Sequence, residues 1–175
     1  IQLAAQNLAD ESDPPHLFLK DLPYLSEEQS GYDDYAADRC KLDVYIPTNA
    51  QNASTVVWFH GGGLRSGQKH IPDRLKNQDM IIVAPNYRMF PKIKSPVYIQ
   101  DAAAAVAWVF KHISEYGGNP DLIYISGHSA GGYLASMVGL DKQWLSLHSI
   151  DANAIAGLIP FSGHTITHFT VREER

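Results

Sequence analysis

Four short runs of this chain are apolar without interruption: Thr55-Val56-Val57-Trp58-Phe59, Met80-Ile81-Ile82-Val83-Ala84, Leu122-Ile123-Tyr124-Ile125 and Ile155-Ala156-Gly157-Leu158-Ile159. A strand with one face in water alternates apolar and polar residues. A continuous run suits a strand buried on both faces, as in a parallel sheet covered by helices. The intervals between the runs can supply those helices. From Pro96 to Tyr116, Ile99, Ala103, Val106, Phe110 and Ile113 recur three or four apart. Pro96 fits the first helical turn, and Gly117-Gly118 fits the stop. A second helix is predicted over 130–140, a shorter one over 72–78 and a brief one over 144–148. Strands alternating with helices imply an α/β fold: a doubly wound, mainly parallel sheet with crossover helices.

One earlier segment differs. Cys40, Leu42, Val44 and Ile46 alternate with Lys41, Asp43 and Tyr45 and stop at Pro47. This pattern predicts an antiparallel, half-exposed strand. Residues 10–38 are rich in Asp, Glu, Ser, Pro and Tyr and read as a surface arm with little regular structure. The expected organisation is therefore an N-terminal arm over 1–38 and an α/β domain over 39–175.

Charge and cysteine content narrow the function classes. The 175 residues carry 14 Lys and Arg against 19 Asp and Glu, a formal charge of −5. That balance excludes a broad nucleic-acid surface, which needs clustered positive charge. The lone Cys40 excludes an internal disulfide and a thiolate metal cluster. No apolar run approaches the roughly 20 residues of a membrane helix. A soluble protein is expected, cytoplasmic or secreted after signal removal. The sequence opens on Ile1, and Leu3-Ala4-Ala5-Gln6 has the small-residue character of a cleavage region.

Two glycine motifs carry the chemistry. Between the run at 122–125 and the helix at 130–140 stands Gly127-His128-Ser129-Ala130-Gly131, a G-x-S-x-G pattern. A serine on so sharp a strand-to-helix turn takes strained backbone angles, and bulk two residues to either side would collide. The turn lifts Oγ over the carboxyl end of the sheet, beside the dipole and free N–H groups of a helix N-terminus. His128 is expected to pack beneath the turn, and Gly132 to allow close helix–strand approach. Tyr133 would line the floor or belong to the core. The second motif, His60-Gly61-Gly62-Gly63, follows the run at 55–59. Its backbone N–H groups could surround a developing oxyanion without side-chain interference.

Together these features resemble the α/β-hydrolase superfamily, and within it the carboxylesterases and lipases of the hormone-sensitive-lipase-like group. The resemblance runs from about Lys41 to Gly163. It also includes Asn86-Tyr87-Arg88, Pro96 with Asp101, the stretch from Tyr116 to Asp121, and the run continuing to Tyr133. It implies Ser129 as nucleophile and an oxyanion hole built from the N–H groups of Gly62, Gly63 and Ala130. His60 would brace the glycine loop, with Gly61, Gly127 and Gly131 in support. The expected activity is hydrolysis of a small-molecule carboxylic ester through an acyl-enzyme, with no cofactor and no metal. A peptidase or amidase of the same fold, and a non-catalytic binding module, are the alternatives.

The base and acid are the difficulty. The superfamily order is Ser, then Asp or Glu, then His. After Ser129 the chain offers His148, His164 and His168, and Asp141, Asp151, Glu173 and Glu174. None matches the family positions, which lie beyond two further strands. The charged ending Val171-Arg172-Glu173-Glu174-Arg175 shows no closing cap, so a chain truncated at its C-terminus is expected. The strand near 155–159 would then keep an uncovered edge open to self-association. His164 and His168 are four apart, a spacing that could hold a metal on a helix, but no third ligand accompanies them. Arg88 and Asp101 lie beside buried segments and are expected either as a structural ion pair or as two solvated charges.

Overall fold

The computed structural model describes residues 16–26, 33–164 and 166–174. Its strands are β1 (His16–Pro23), β2 (Lys41–Pro47), β3 (Ala53–Phe59), β4 (Ile81–Pro85), β5 (Gly118–His128) and β6 (Gly157–Phe161). They form one sheet in the order β1-β2-β4-β3-β5-β6. The four apolar runs became β4, β3, β5 and β6, which pair in parallel with Thr55 opposite Ile81, Val57 opposite Ile125 and Ser126 opposite Ile159. Helices are α1 (Asp34–Arg39), α2 (Val97–His112), α3 (Ala130–Leu140), α4 (Gln143–Ser146) and α5 (Phe169–Glu173). The doubly wound, mainly parallel α/β sheet expected from the sequence is the fold observed.

The core lies between the sheet and its helices. Val57, Phe59, Ile81, Val83, Ile123 and Ile125 are fully buried, and α2 brings Ala102, Ala105, Val106 and Val109 onto them. The small side chains of α2 let its backbone approach closely. Truncating a fully buried ring such as Phe59 to Ala would cost about 3–5 kcal/mol. Helix α2 ends in a 3-10 turn over Ile113–Tyr116, and Gly117 at φ 84° closes it, as the Gly117-Gly118 signal implies.

Four expectations need correction. The arm is not irregular: His16–Pro23 pairs antiparallel with β2, and Asp34–Arg39 is a helix capped by the Asp33 carboxylate. Leu17, Leu19 and Leu22 give β1 its apolar side, but polar flanks hide them in a composition reading. Strand β2 is antiparallel as expected, yet it is buried rather than half-exposed from Leu42 to Ile46. It lies between β1 and β4, and the carboxylate of Asp43 is met by the Lys69 ammonium and the Asp21 N–H. The segment over 72–78 makes only a 3-10 turn, Asp73–Leu75, because Asn77 at φ 60° and Asp79 at φ 53° leave helical geometry. Finally, His128 is exposed, not packed beneath the turn. The cleavage-region reading of Leu3-Ala4-Ala5-Gln6 falls outside the described residues.

Among the described residues no helix is long and apolar enough to cross a membrane. No strand there pairs with the outer side of β6, where Ile159 and Phe161 are 45% and 51% exposed.

Candidate active site

Ser129 joins β5 to α3 at φ 55° and ψ −115°. A non-glycine residue held there stores on the order of 1–3 kcal/mol of strain and persists only where its surroundings impose it. The surroundings do so through backbone packing. A Cβ on Gly131 would lie 2.0 Å from the Phe59 carbonyl oxygen, and one on Gly127 would lie 2.6 Å from the same atom. The turn is therefore pressed directly onto the end of β3. Its other side is tied to β6, since the Ser129 N–H donates to the Phe161 carbonyl at 2.8 Å. That bond occupies the serine's own N–H. A Cβ on Gly132 would sit 2.9 Å from the Phe161 oxygen, the close helix–strand approach expected of that position.

Helix α3 begins at Ala130 with no side-chain cap. First-turn N–H groups have no intrahelical acceptor and form the positive end of the helix dipole. Helix α3 also places Tyr133 in the core, nearly fully buried.

The glycine loop lies against this turn. A Cβ on Gly61 would be 3.4 Å from Ser129 Cβ and 3.0 Å from the His128 carbonyl oxygen. The loop then folds back on itself. Gly62 at φ 113° accepts at its carbonyl from the N–H groups of Arg65 at 3.1 Å and Ser66 at 3.0 Å. A side chain at Gly62 would collide with the Ser66 carbonyl at 2.0 Å. Among the described residues no acceptor takes the N–H of Gly62 or of Gly63.

His60 sits under the loop, almost wholly buried. Its Nδ1–H donates to the Gly61 carbonyl at 2.7 Å, and its ring stacks on Tyr87 at 4.5 Å. The Tyr87 hydroxyl in turn donates to the His60 carbonyl at 2.9 Å. Burial lowers the His60 pKa to about 4, so the ring is neutral at pH 7 and acts as a donor of fixed direction.

The sequence candidates for the base divide. His164 is exposed and meets His168 edge-on at 5.2 Å. His168 is fully buried and caps α5, with Nδ1 accepting from the Thr170 N–H at 3.2 Å. Burial, with His164 nearby, lowers its pKa to about 4. His148 is half-buried beyond α4, beside a cleft that Trp108 also lines. None of the three hydrogen-bonds Ser129 Oγ. Among the described residues no three His, Cys, Asp or Glu side chains gather as a metal site.

Arg88 and Asp101 do pair. The guanidinium donates from Nη2 to Asp101 Oδ1 at 2.7 Å and from Nε to Oδ2 at 2.9 Å, and the Arg88 N–H adds a bond to Oδ2 at 2.9 Å. Asp33, unmarked in the sequence, accepts from Nη1 at 3.0 Å. These carboxylates raise the arginine pKa still further. Sequence reasoning also missed Thr170, whose hydroxyl donates to the Gly63 carbonyl at 2.6 Å across 107 positions of chain. No linear signal marks that contact.

The BD-FAE family model matches residues 42–159. Carboxylesterase NlhH of Mycobacterium tuberculosis is 30% identical over 145 residues, 79% of this chain and 44% of the relative. Esterase B from Lactobacillus rhamnosis aligns with a TM-score of 0.68 at 23% identity, covering 88% of this chain and 50% of that one. Thermogutta terrifontis esterase 2, solved phosphoramylated by tabun, aligns at a TM-score of 0.64 and 28% identity, over 76% of this chain and 56% of that one. The chain thus spans about half the length of these proteins or less.

Proposed function

The chain belongs to the BD-FAE family, and from that premise we propose that the protein is a serine hydrolase of small carboxylic esters. The observation that carries the reading is Ser129 at φ 55°, held by backbone contact against the glycine loop. Ser129 Oγ is the nucleophile. It attacks the ester carbonyl carbon, the ester C–O bond breaks and the alcohol leaves, and water then releases the acid and frees Oγ. The N–H groups of Gly62, Gly63 and Ala130 take the oxyanion. Gly62 and Gly63 have no other acceptor among the described residues, and Ala130 opens an uncapped helix. His60 braces the loop, while Gly61, Gly127 and Gly131 permit the close packing. The carboxylesterase and esterase names of the similar proteins, and the organophosphorus adduct in one of them, favour ester hydrolysis over a binding role.

The proton acceptor for Oγ is not found among the described residues, and the activity is a proposal for the whole protein. The border of β6 that no strand among the described residues covers is the place where a further strand or a second copy could add, and self-association through it belongs to the same reading. The test is hydrolysis of p-nitrophenyl acetate by the full-length protein and its Ser129→Ala variant. The expected result is a loss of about 1,000-fold or more in kcat/KM, with an unchanged melting midpoint. Equal turnover by both would overturn the assignment. Cleavage of an anilide in preference to the ester would favour the amidase alternative.

A further inference from the structure

We propose that Thr170 is a positioning residue for the oxyanion loop, acting through the Gly63 carbonyl. This inference rests on the serine-hydrolase reading above. In a trans peptide the carbonyl of one residue points opposite the N–H of the next. Holding a carbonyl therefore aims the following N–H.

The loop uses this rule at successive planes. His60 Nδ1–H holds the Gly61 carbonyl at 2.7 Å, and so aims the Gly62 N–H. The turn bonds from Arg65 and Ser66 hold the Gly62 carbonyl, and so aim the Gly63 N–H. The Leu64 carbonyl is held by the Phe90 N–H at 2.9 Å. Between them lies the Gly63–Leu64 plane. Its carbonyl is held by the Thr170 hydroxyl at 2.6 Å.

Gly63 is the weak point of the series. It has no side chain to restrain it, and it sits at φ 66°. Its preceding plane carries an oxyanion donor, the Gly63 N–H; its following plane, which carries the Leu64 N–H, is held by Thr170, so the bond acts on the donor by limiting rotation about the two Gly63 dihedrals that join the planes. The Phe169 ring closes the same position, 3.3 Å from where a Cβ on Gly63 would lie.

The strut itself is well anchored. Thr170 is fully buried, and its N–H is fixed on His168 Nδ1. Glu173 pairs with Arg65 of the loop. The Glu174 carboxylate accepts from the Ser95 N–H at 2.7 Å and the Tyr98 hydroxyl at 3.2 Å. Helix α5 thus links the glycine loop to the start of α2. An anchored hydroxyl can fix a peptide plane; one on a loose segment could not.

The test compares Thr170→Val, which removes the hydroxyl at nearly constant shape, with Thr170→Ser, which keeps it. Both are made in the full-length protein, with Ser129→Ala as the blank. Ester kinetics, melting midpoint and amide hydrogen exchange over 61–66 are measured. Thr170→Val is expected to lower kcat about 10- to 100-fold with KM within about twofold, less than outright loss of an oxyanion donor. Exchange over 61–66 should quicken. Thr170→Ser should stay within about threefold of wild type on every reading. Unchanged kcat in Thr170→Val, or an equal loss in Thr170→Ser, overturns the proposal. If wild-type turnover does not depend on Ser129, the hydrolase reading fails instead. Exchange alone then decides: quickening in Thr170→Val and not in Thr170→Ser supports the strut, and no quickening refutes it.

Discussion

Two regions hold the same stretch of loops in different ways. At the Ser129 turn, backbone lies on backbone: Gly127 and Gly131 press against the Phe59 carbonyl, and Ser129 is tied to Phe161. Around Arg88, side chains do the holding. Arg88 is bracketed by Asp101 and Asp33, while Arg39 donates to the carbonyls of Tyr87 at 3.3 Å and Gly67 at 3.2 Å and to Gln68 Oε1 at 2.9 Å. The first region has little freedom to repack, because its close contacts are between backbone atoms and no side-chain rotation relieves them. The second can lose one partner and keep others. Strain is stored where position must be accurate, and charge is used where segments distant in sequence must be joined.

The contrast can be broken most severely at Gly131. Gly131→Ala puts a methyl 2.0 Å from the Phe59 oxygen, which cannot move without moving β3. A loss of about 4 kcal/mol or failure to fold is expected, with activity lost in parallel. Gly139→Ala is the control. Its Cβ would meet the Leu158 side-chain tip at 2.3 Å, a flexible group, and the expected cost is about 1–2 kcal/mol. Chemical denaturation of both variants checks the difference; equal costs would contradict the backbone-contact account.

A smaller effect is expected at the charged region. Asp101→Asn leaves the mostly buried Arg88 without its main counter-charge, and about 3 kcal/mol of stability should go. Asp33 remains, which keeps the loss at the lower end for a broken buried pair. The kcat of the folded fraction should stay within about twofold, because neither residue touches the Ser129 turn. A large fall in kcat without loss of stability would erase the distinction between the regions.

The smallest effect is a pH dependence. His60 and His168 both titrate near pH 4 in the folded protein, lowered by burial from an unfolded value near 6.5. Below that unfolded value the unfolded chain binds protons that the folded one refuses. Stability from these groups is complete above about pH 6.5 and declines as pH falls toward 4. His168→Asn keeps a good helix cap and removes one titration, so its melting midpoint should fall less steeply over that window. An identical slope in variant and wild type would show that His168 contributes nothing to it.

The same contrast explains what could be read from the sequence. Continuous apolar runs marked β3 to β5 because burial on both faces leaves little choice of residue; the run at β6 has the same pattern, but its residues are half-buried or exposed, against the two-sided burial that the pattern predicts. The glycines of the turn were legible because only glycine fits against the Phe59 carbonyl. Strand β1 was not, since its three leucines stand among charged and proline-rich neighbours. Asp43 made β2 look half-exposed, because the sequence does not show Lys69 folding over it. The Arg88–Asp101 pair could be suspected from two charges beside buried segments, but Asp33 and Thr170 act across long separations without a motif. His128 fills the position in the elbow that backbone geometry leaves undetermined, and its exposure had no sequence signal.

The most direct test of the account is covalent. The full-length protein is treated with an organophosphonate ester and its intact mass and modified peptide are read. One adduct per chain on Ser129, absent from Ser129→Ala, is the predicted result. No adduct, or an adduct that persists in Ser129→Ala, would contradict the assignment of this turn as a nucleophile.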